Sequence, residues 1–139
     1  MEKEVLVTIS GLQGAQEGNE SVELMARGKY YLKKDKHYLL YDDIEEESGQ
    51  TTKNTIKFNS EKVEVLRNGM VNGKLIFQKG KNSQSLYGTP YGDILLEVMT
   101  KEIQVKEIPE HINLMIDYEL YADNAKVSDS RIVIDIHGQ

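Results

Sequence analysis

Apolar and polar residues alternate along most of this chain with a period of two, where a helix would repeat near 3.6. Residues 4 to 11 set Val5, Val7 and Ile9 on one face against Glu4, Thr8 and Ser10. From Ser21 to Leu32 the even positions Val22, Leu24, Ala26, Gly28, Tyr30 and Leu32 share a face, with Glu23, Arg27 and Lys29 opposite. Further strands are expected over His37 to Ile44, Thr51 to Asn59, Val63 to Arg67, Lys74 to Lys79 and Ser83 to Thr89. Ile112, Leu114, Ile116, Tyr118 and Leu120 alternate with Asn113, Asp117 and Glu119, and a final strand points Ile132, Ile134 and Ile136 inward.

Turn signals punctuate these runs. Lys33 to Lys36, Glu45 to Gln50, Asn59 to Glu61, Gly80 to Asn82 and Ala122 to Ala125 each read as a reversal, and Asn68-Gly69 and Asn72-Gly73 are both strong turn dipeptides. Leu12 to Glu20 reads as a polar connection too short for two helices. The most specific stretch is Tyr87 to Val105. Thr89-Pro90-Tyr91-Gly92 is a sharp corner, with φ fixed at Pro90 and unusual freedom at Gly92. A long strand follows with Ile94, Leu96 and Val98 on one face. After Thr100 the apolar positions change parity, to Ile103 and Val105, which requires a bulge or strong bend near Thr100 to Glu102.

About ten strands joined by short turns make an antiparallel up-and-down meander, and a meander of that length removes its edges best by closing into a barrel. A two-sheet sandwich has the same periodicity. The parity change after Thr100 and the glycine at Gly28 favour the barrel, because both are bend points. The expected fold is therefore all-β, a single β-barrel domain spanning residues 1–139.

Composition narrows the function classes. The chain has 139 residues, 29% of them charged, with no cysteine and a net charge of −6. Thiolate chemistry, disulfides and cysteine-based zinc sites are excluded. The acidic balance disfavours nucleic acid as a partner, since phosphate binding needs clustered Lys and Arg. No apolar run approaches the ~20 residues of a membrane helix. The start, MEKEVLVTIS, reads as a first strand and not a signal peptide; the lack of cysteine is compatible with a reducing cytoplasm, and a cytoplasmic location is the expectation.

With these elements placed, the sequence resembles the YwiB-like family, a bacterial domain of unknown function with a calycin-type β-barrel. The matching features are Tyr30 in GKYY, Tyr38-Leu39-Leu40-Tyr41, Thr55-Ile56-Lys57-Phe58, Arg67-Asn68-Gly69, the Tyr87 to Gly92 corner with Thr100 downstream, and Ile116-Asp117-Tyr118-Glu119-Leu120. The resemblance implies a barrel akin to the lipocalins and fatty-acid-binding proteins, and brings no activity with it. The lipocalin Gly-x-Trp signature is absent because there is no Trp. The helical lid of fatty-acid-binding proteins would fall at Leu12 to Glu20, which is too short for it.

Arg67 is in period with Val63 and Val65, so its guanidinium is a candidate to enter the barrel, where it needs a carboxylate or an anionic ligand. The plain alternative is a strand-end arginine reaching solvent. Glu97, Glu102 and Asp117 are the candidate partners. Eight tyrosines against two phenylalanines suit a mixed cavity, and Tyr30, Tyr118 and Tyr38 are the candidate lining residues, Tyr38 sharing a face with Leu40. Half-buried cross-strand tyrosines are the commoner use.

No metal site or cofactor is expected. Asp42-Asp43 and Glu45 to Glu47 lack the spacing of a calcium loop, and His37, His111 and His137 are scattered in sequence. No nucleophile elbow or phosphate loop is present, so an enzyme is not the expectation. The leading expectation is a barrel that binds a small hydrophobic, amphipathic or carboxylated molecule through Arg67, Tyr30, Tyr38 and Tyr118. The rival is a side-chain-filled barrel acting as an interaction module or homodimer through outward Met25, Tyr31, Leu39, Met115 and Tyr121.

Overall fold

The computed structural model describes residues 3–11, 23–44 and 48–138. Their regular elements are all strands: β1 (Lys3–Ser10), β2 (Glu23–Lys33), β3 (Lys36–Ile44), β4 (Thr51–Phe58), β5 (Lys62–Asn68), β6 (Gly73–Gln78), β7 (Asn82–Thr89), β8 (Gly92–Ile108), β9 (His111–Ala122) and β10 (Ala125–Gly138). The expected connection Leu12 to Glu20 and the acidic residues Glu45 to Glu47 lie outside the described residues.

One ten-stranded antiparallel sheet runs in the order β6-β5-β4-β3-β2-β1-β10-β9-β8-β7. Sequence neighbours are therefore spatial neighbours, and the first strand pairs with the last. The sheet curls until β6 and β7 meet at a seam. There the Asn72 N–H donates to the Gly88 carbonyl at 2.9 Å and the Gly88 N–H to the Asn72 carbonyl at 2.7 Å. The result is a nearly closed barrel, not a sandwich.

Alternation decides what fills it. Val5, Val7, Ile56, Phe58, Phe77 and Leu114 are all buried in one continuous core. The expected inward residues of β9 and β10, Ile112 to Leu120 and Ile132 to Ile136, are buried with them.

The predicted parity change is present. The β8–β9 register steps from Thr100↔Tyr118 to Glu102↔Asp117, leaving Lys101 without a partner on β9. Thr100 and Ile103 face inward with Lys101 and Glu102 between them. A second bulge, not foreseen, interrupts β9–β10 between Lys126 and Ser128.

Two glycines mark close approaches. A Cβ on Gly28 would come 2.6 Å from the Leu40 carbonyl oxygen, and one on Gly73 would come 2.4 Å from the Tyr87 ring. Gly73 is thus a strand glycine that lets an aromatic ring lie against the seam, and not part of a second turn. The single loop 69–72 joins β5 to β6, clamped by the Asn72 side chain, which accepts from the Gly69 N–H and donates to its carbonyl.

The reading of β3 needs correction. Tyr38 and Leu40 do share a face, but it is the outer one; His37, Leu39 and Tyr41 point inward and are buried. Tyr38 stacks on Tyr31 outside the barrel, with ring centroids 4.7 Å apart. Leu39 is therefore not part of an outer patch. Leu32, expected inward, is half exposed near the end of β2.

Candidate functional site

The four candidate ligand residues do not converge. The barrel has two ends: one carries the β3–β4, β5–β6, β7–β8 and β9–β10 turns, and the other the β2–β3, β4–β5, β6–β7 and β8–β9 turns. Arg67 lies at the first end, Tyr30 at the second, Tyr118 between them, and Tyr38 outside.

At the first end, Arg67 projects inward from the last turn of sheet in β5, where Asn54 of β4 is its cross-strand neighbour. Its Nε donates to Asn54 Oδ1 at 2.9 Å and its Nη2 to Asp43 Oδ2 at 3.2 Å. Asn54 in turn donates to Asp43 Oδ2 at 3.2 Å, closing a three-residue cluster. The side chains of Arg67 and Asp43 are only 13% and 18% exposed. The expected partners Glu97, Glu102 and Asp117 are engaged elsewhere: Glu97 with Asn82, Glu102 with Lys79, Asp117 with Arg131. Arg67 is a braced polar group, neither a free anion clamp nor a side chain escaping to solvent.

Two buried phenols share the field of this cluster. Burial, then the Asp43 charge, pushes Tyr41 far above its ordinary value, with Arg67 opposing; burial raises Tyr87 too, again against Arg67. The Tyr41 hydroxyl is buried and has no hydrogen-bond partner among the described residues. Tyr118 packs edge-on against Phe77 at 5.0 Å, and burial pushes it up to about 12.

The cluster is approached through the wall. β2 and β3 pair from Lys33↔Lys36 to Gly28↔Tyr41 and then part. Beyond that point β2 continues along β1, and β3 along β4. An open cleft of about 750 Å³ lies between them, with Tyr41, Asp43 and Asn54 among its lining and Met25, Leu40 and Ile44 as apolar contributions. Met25 and Ile44 are 68% and 67% exposed.

At the second end the Tyr30 hydroxyl lies 2.6 Å from His37 Nδ1, His37 stacks on Phe58 with centroids 4.6 Å apart, and its Nε2 lies 3.8 Å from Glu107. An open concavity of about 540 Å³ beside Tyr30 is lined also by Lys3, Val5, Glu107 and Ile136.

Two of the three histidines, scattered in sequence, come together in space, while His37 stays apart inside the barrel. The register sets His111 directly opposite His137 on the outer face of β9 and β10, with their rings stacked at 4.4 Å. His37, Asp43 and Asn54 were missed as inward polar residues. For Asn54 the signal is the alternation of β4, where Thr52, Asn54, Ile56 and Phe58 are all buried; His37 and Asp43 lie on β3, whose facing only its pairing settles.

The Domain of unknown function (DUF1934) family matches residues 7–134. A curated relative, the uncharacterized beta-barrel protein YwiB of Bacillus subtilis (strain 168), is 28% identical over 123 residues, 88% of this chain and 85% of that one. The crystal structure of ywiB protein from Bacillus subtilis superposes with a TM-score of 0.82 at 25% identity, covering 99% of this chain and 93% of that one. Among the described residues no helix is long and apolar enough to cross a membrane. On the extent of the match, and with the barrel expected from the sequence in place, the chain belongs to the DUF1934 family.

Proposed function

We propose that this chain is a non-enzymatic binding barrel that takes a small amphipathic molecule in the cleft between β2 and β3. The observation that carries the reading is the parting of the two strands at Gly28 and Tyr41, beside the Asp43–Asn54–Arg67 cluster. The apolar part of the molecule lies along Met25, Leu40 and Ile44. Its polar end meets Asp43 and Asn54. Because Asp43 already holds the guanidinium, a hydroxyl or amide head fits better than a carboxylate, which would compete with Asp43 for Arg67. A ligand deep in the barrel is less well supported, since Phe58, Phe77, Leu39 and Ile56 occupy inward positions and expose no surface.

The test is a thermal-shift and calorimetry panel of neutral amphiphiles, fatty carboxylates and aliphatic alcohols. The cleft reading expects a saturable shift with neutral amphiphiles that Ile44→Glu abolishes while the unliganded melt stays near the parent's. No saturable shift across the panel, or one that Ile44→Glu leaves intact, overturns it. A second reading draws on the exposed Met25 and Ile44: the same apolar rim packs against a second copy of the chain. It expects a dimer in light scattering that Ile44→Glu converts to monomer.

A further inference from the structure

We propose that His111, Asp135 and His137 form a binding site for a divalent transition-metal ion of the zinc, cobalt or nickel type on the outer wall of the barrel. One ligand atom from each residue can be chosen so that all lie within 4.8 Å of one another. Two ligands on a common zinc-like ion, each about 2.0–2.2 Å from it, are separated by about 3.3 Å in a tetrahedral site. His111 Nε2 and Asp135 Oδ1 are already 3.0 Å apart. The remaining convergence is within the reach of side-chain rotation.

The backbone is suited to hold such a site. All three residues sit on two strands in continuous register, His111 opposite His137 and Asn113 opposite Asp135. Sites on strands are held more firmly than sites on loops. Neither ring nitrogen of His137 has a hydrogen-bond partner among the described residues, so both are free to ligate.

Asn113 Nδ2 donates to Asp135 Oδ1 at 2.7 Å, the kind of outer contact that orients a ligating carboxylate. Two imidazoles and one carboxylate select borderline ions over calcium and magnesium, which prefer all-oxygen shells. Three protein ligands leave at least one position for water.

An ion here would pin the start of β9 to the end of β10. The site stands outside the proposed ligand cleft and does not depend on it. The experiment uses untagged, chelator-treated protein titrated with Zn²⁺ and, separately, Co²⁺, read by competition with a chromogenic chelator, by the Co²⁺ visible spectrum and by melting temperature.

The parent is expected to bind one ion per chain, with an imidazole-type Co²⁺ spectrum and a melting temperature that rises with Zn²⁺. His137→Ala and Asp135→Asn should each weaken binding by at least about 10-fold, and Asn113→Ala by about 10-fold. His137 is exposed, so its replacement should leave the metal-free melt near the parent's. Absence of binding by the parent, or binding that survives unchanged in a folded His137→Ala variant, overturns the proposal.

Discussion

Tyr30 and His37 meet inside the barrel wall, hydroxyl to Nδ1 at 2.6 Å, each from an inward position near the β2–β3 turn. Either neutral tautomer of His37 satisfies the contact. Burial lowers the His37 pKa from its ordinary 6.5, and the nearby Glu107 carboxylate only partly opposes this. In the acid range just below 6.5 the unfolded chain therefore binds the proton that the folded chain refuses. Stability should fall as pH drops through that window and level off below the folded-state pKa, with a slope of at most about 1.4 kcal/mol per pH unit. The carboxylates held below their ordinary values, Glu64 and Asp135 among them, add losses of the same sign only in more acid solution. Urea denaturation between about pH 5 and 7 should show the slope in the parent and lose most of it in a Tyr30→Phe, His37→Phe double variant. Equal slopes in the two proteins would show that His37 is not the group responsible.

The Arg67 cluster makes an energetic prediction with a functional edge. Removing the guanidinium in Arg67→Met strands the largely buried Asp43 carboxylate and takes a donor from Asn54. Breaking such a pair from one side costs more than the pair itself is worth, here about 2–3 kcal/mol given the partial exposure. Arg67→Met with Asp43→Leu, which removes both charges, should recover part of that loss. An Arg67→Met variant within about 0.5 kcal/mol of the parent in chemical denaturation would return Arg67 to the role of an anion clamp awaiting a ligand.

Much of this fold is written in parity, and the places where parity is ambiguous are the places where the site was misread. Strand β8 announces its own bulge, because Val98 and Ile103 cannot face the core along an unbroken strand. Strand β3 announces nothing, because Tyr38-Leu39-Leu40-Tyr41 is apolar on both faces. Its facing is settled by pairing, with Leu39 set between Tyr30 of β2 and Ile56 of β4. Reading Tyr38 inward also turns Asp43 outward, so one slip removed both the true inward tyrosine, Tyr41, and the partner of Arg67.

The histidine pair was hidden for a different reason. The tight turn pairs Ala125 with Ala122, and an uninterrupted ladder from there would set His111 opposite Ile136. Only the bulge at Val127 advances β10 by one residue and brings His137 into place, and that bulge sits in a polar stretch, KVSDS, whose pattern gives no hint of it.

The bulge at Lys101 separates two explanations of how the barrel closes. Above it β8 pairs with both β7 and β9; β7 begins at Asn82, opposite Met99, and beyond Thr100 β8 keeps only β9 as a ladder partner. At this point the Thr100 carbonyl accepts from the Gly80 N–H at 2.9 Å and the Thr100 N–H donates to the Lys81 carbonyl at 3.1 Å, tying the β6–β7 turn to the bend. Deleting Lys101 would leave regular alternation, with Thr100 and Ile103 still inward and Glu102 outward. What it removes is the extra residue that bends the strand and tightens its twist. We expect the deletion to cost about 1–3 kcal/mol through loss of curvature at the seam. Lys101→Ala removes only half-exposed ion pairs to Glu119 and Asp129, and should stay within about 0.5 kcal/mol of the parent. Melts of the two variants decide between backbone and charge: a deletion that melts with the parent would make the bulge dispensable to closure, and an alanine variant as damaged as the deletion would place the stabilisation in the lysine's charge.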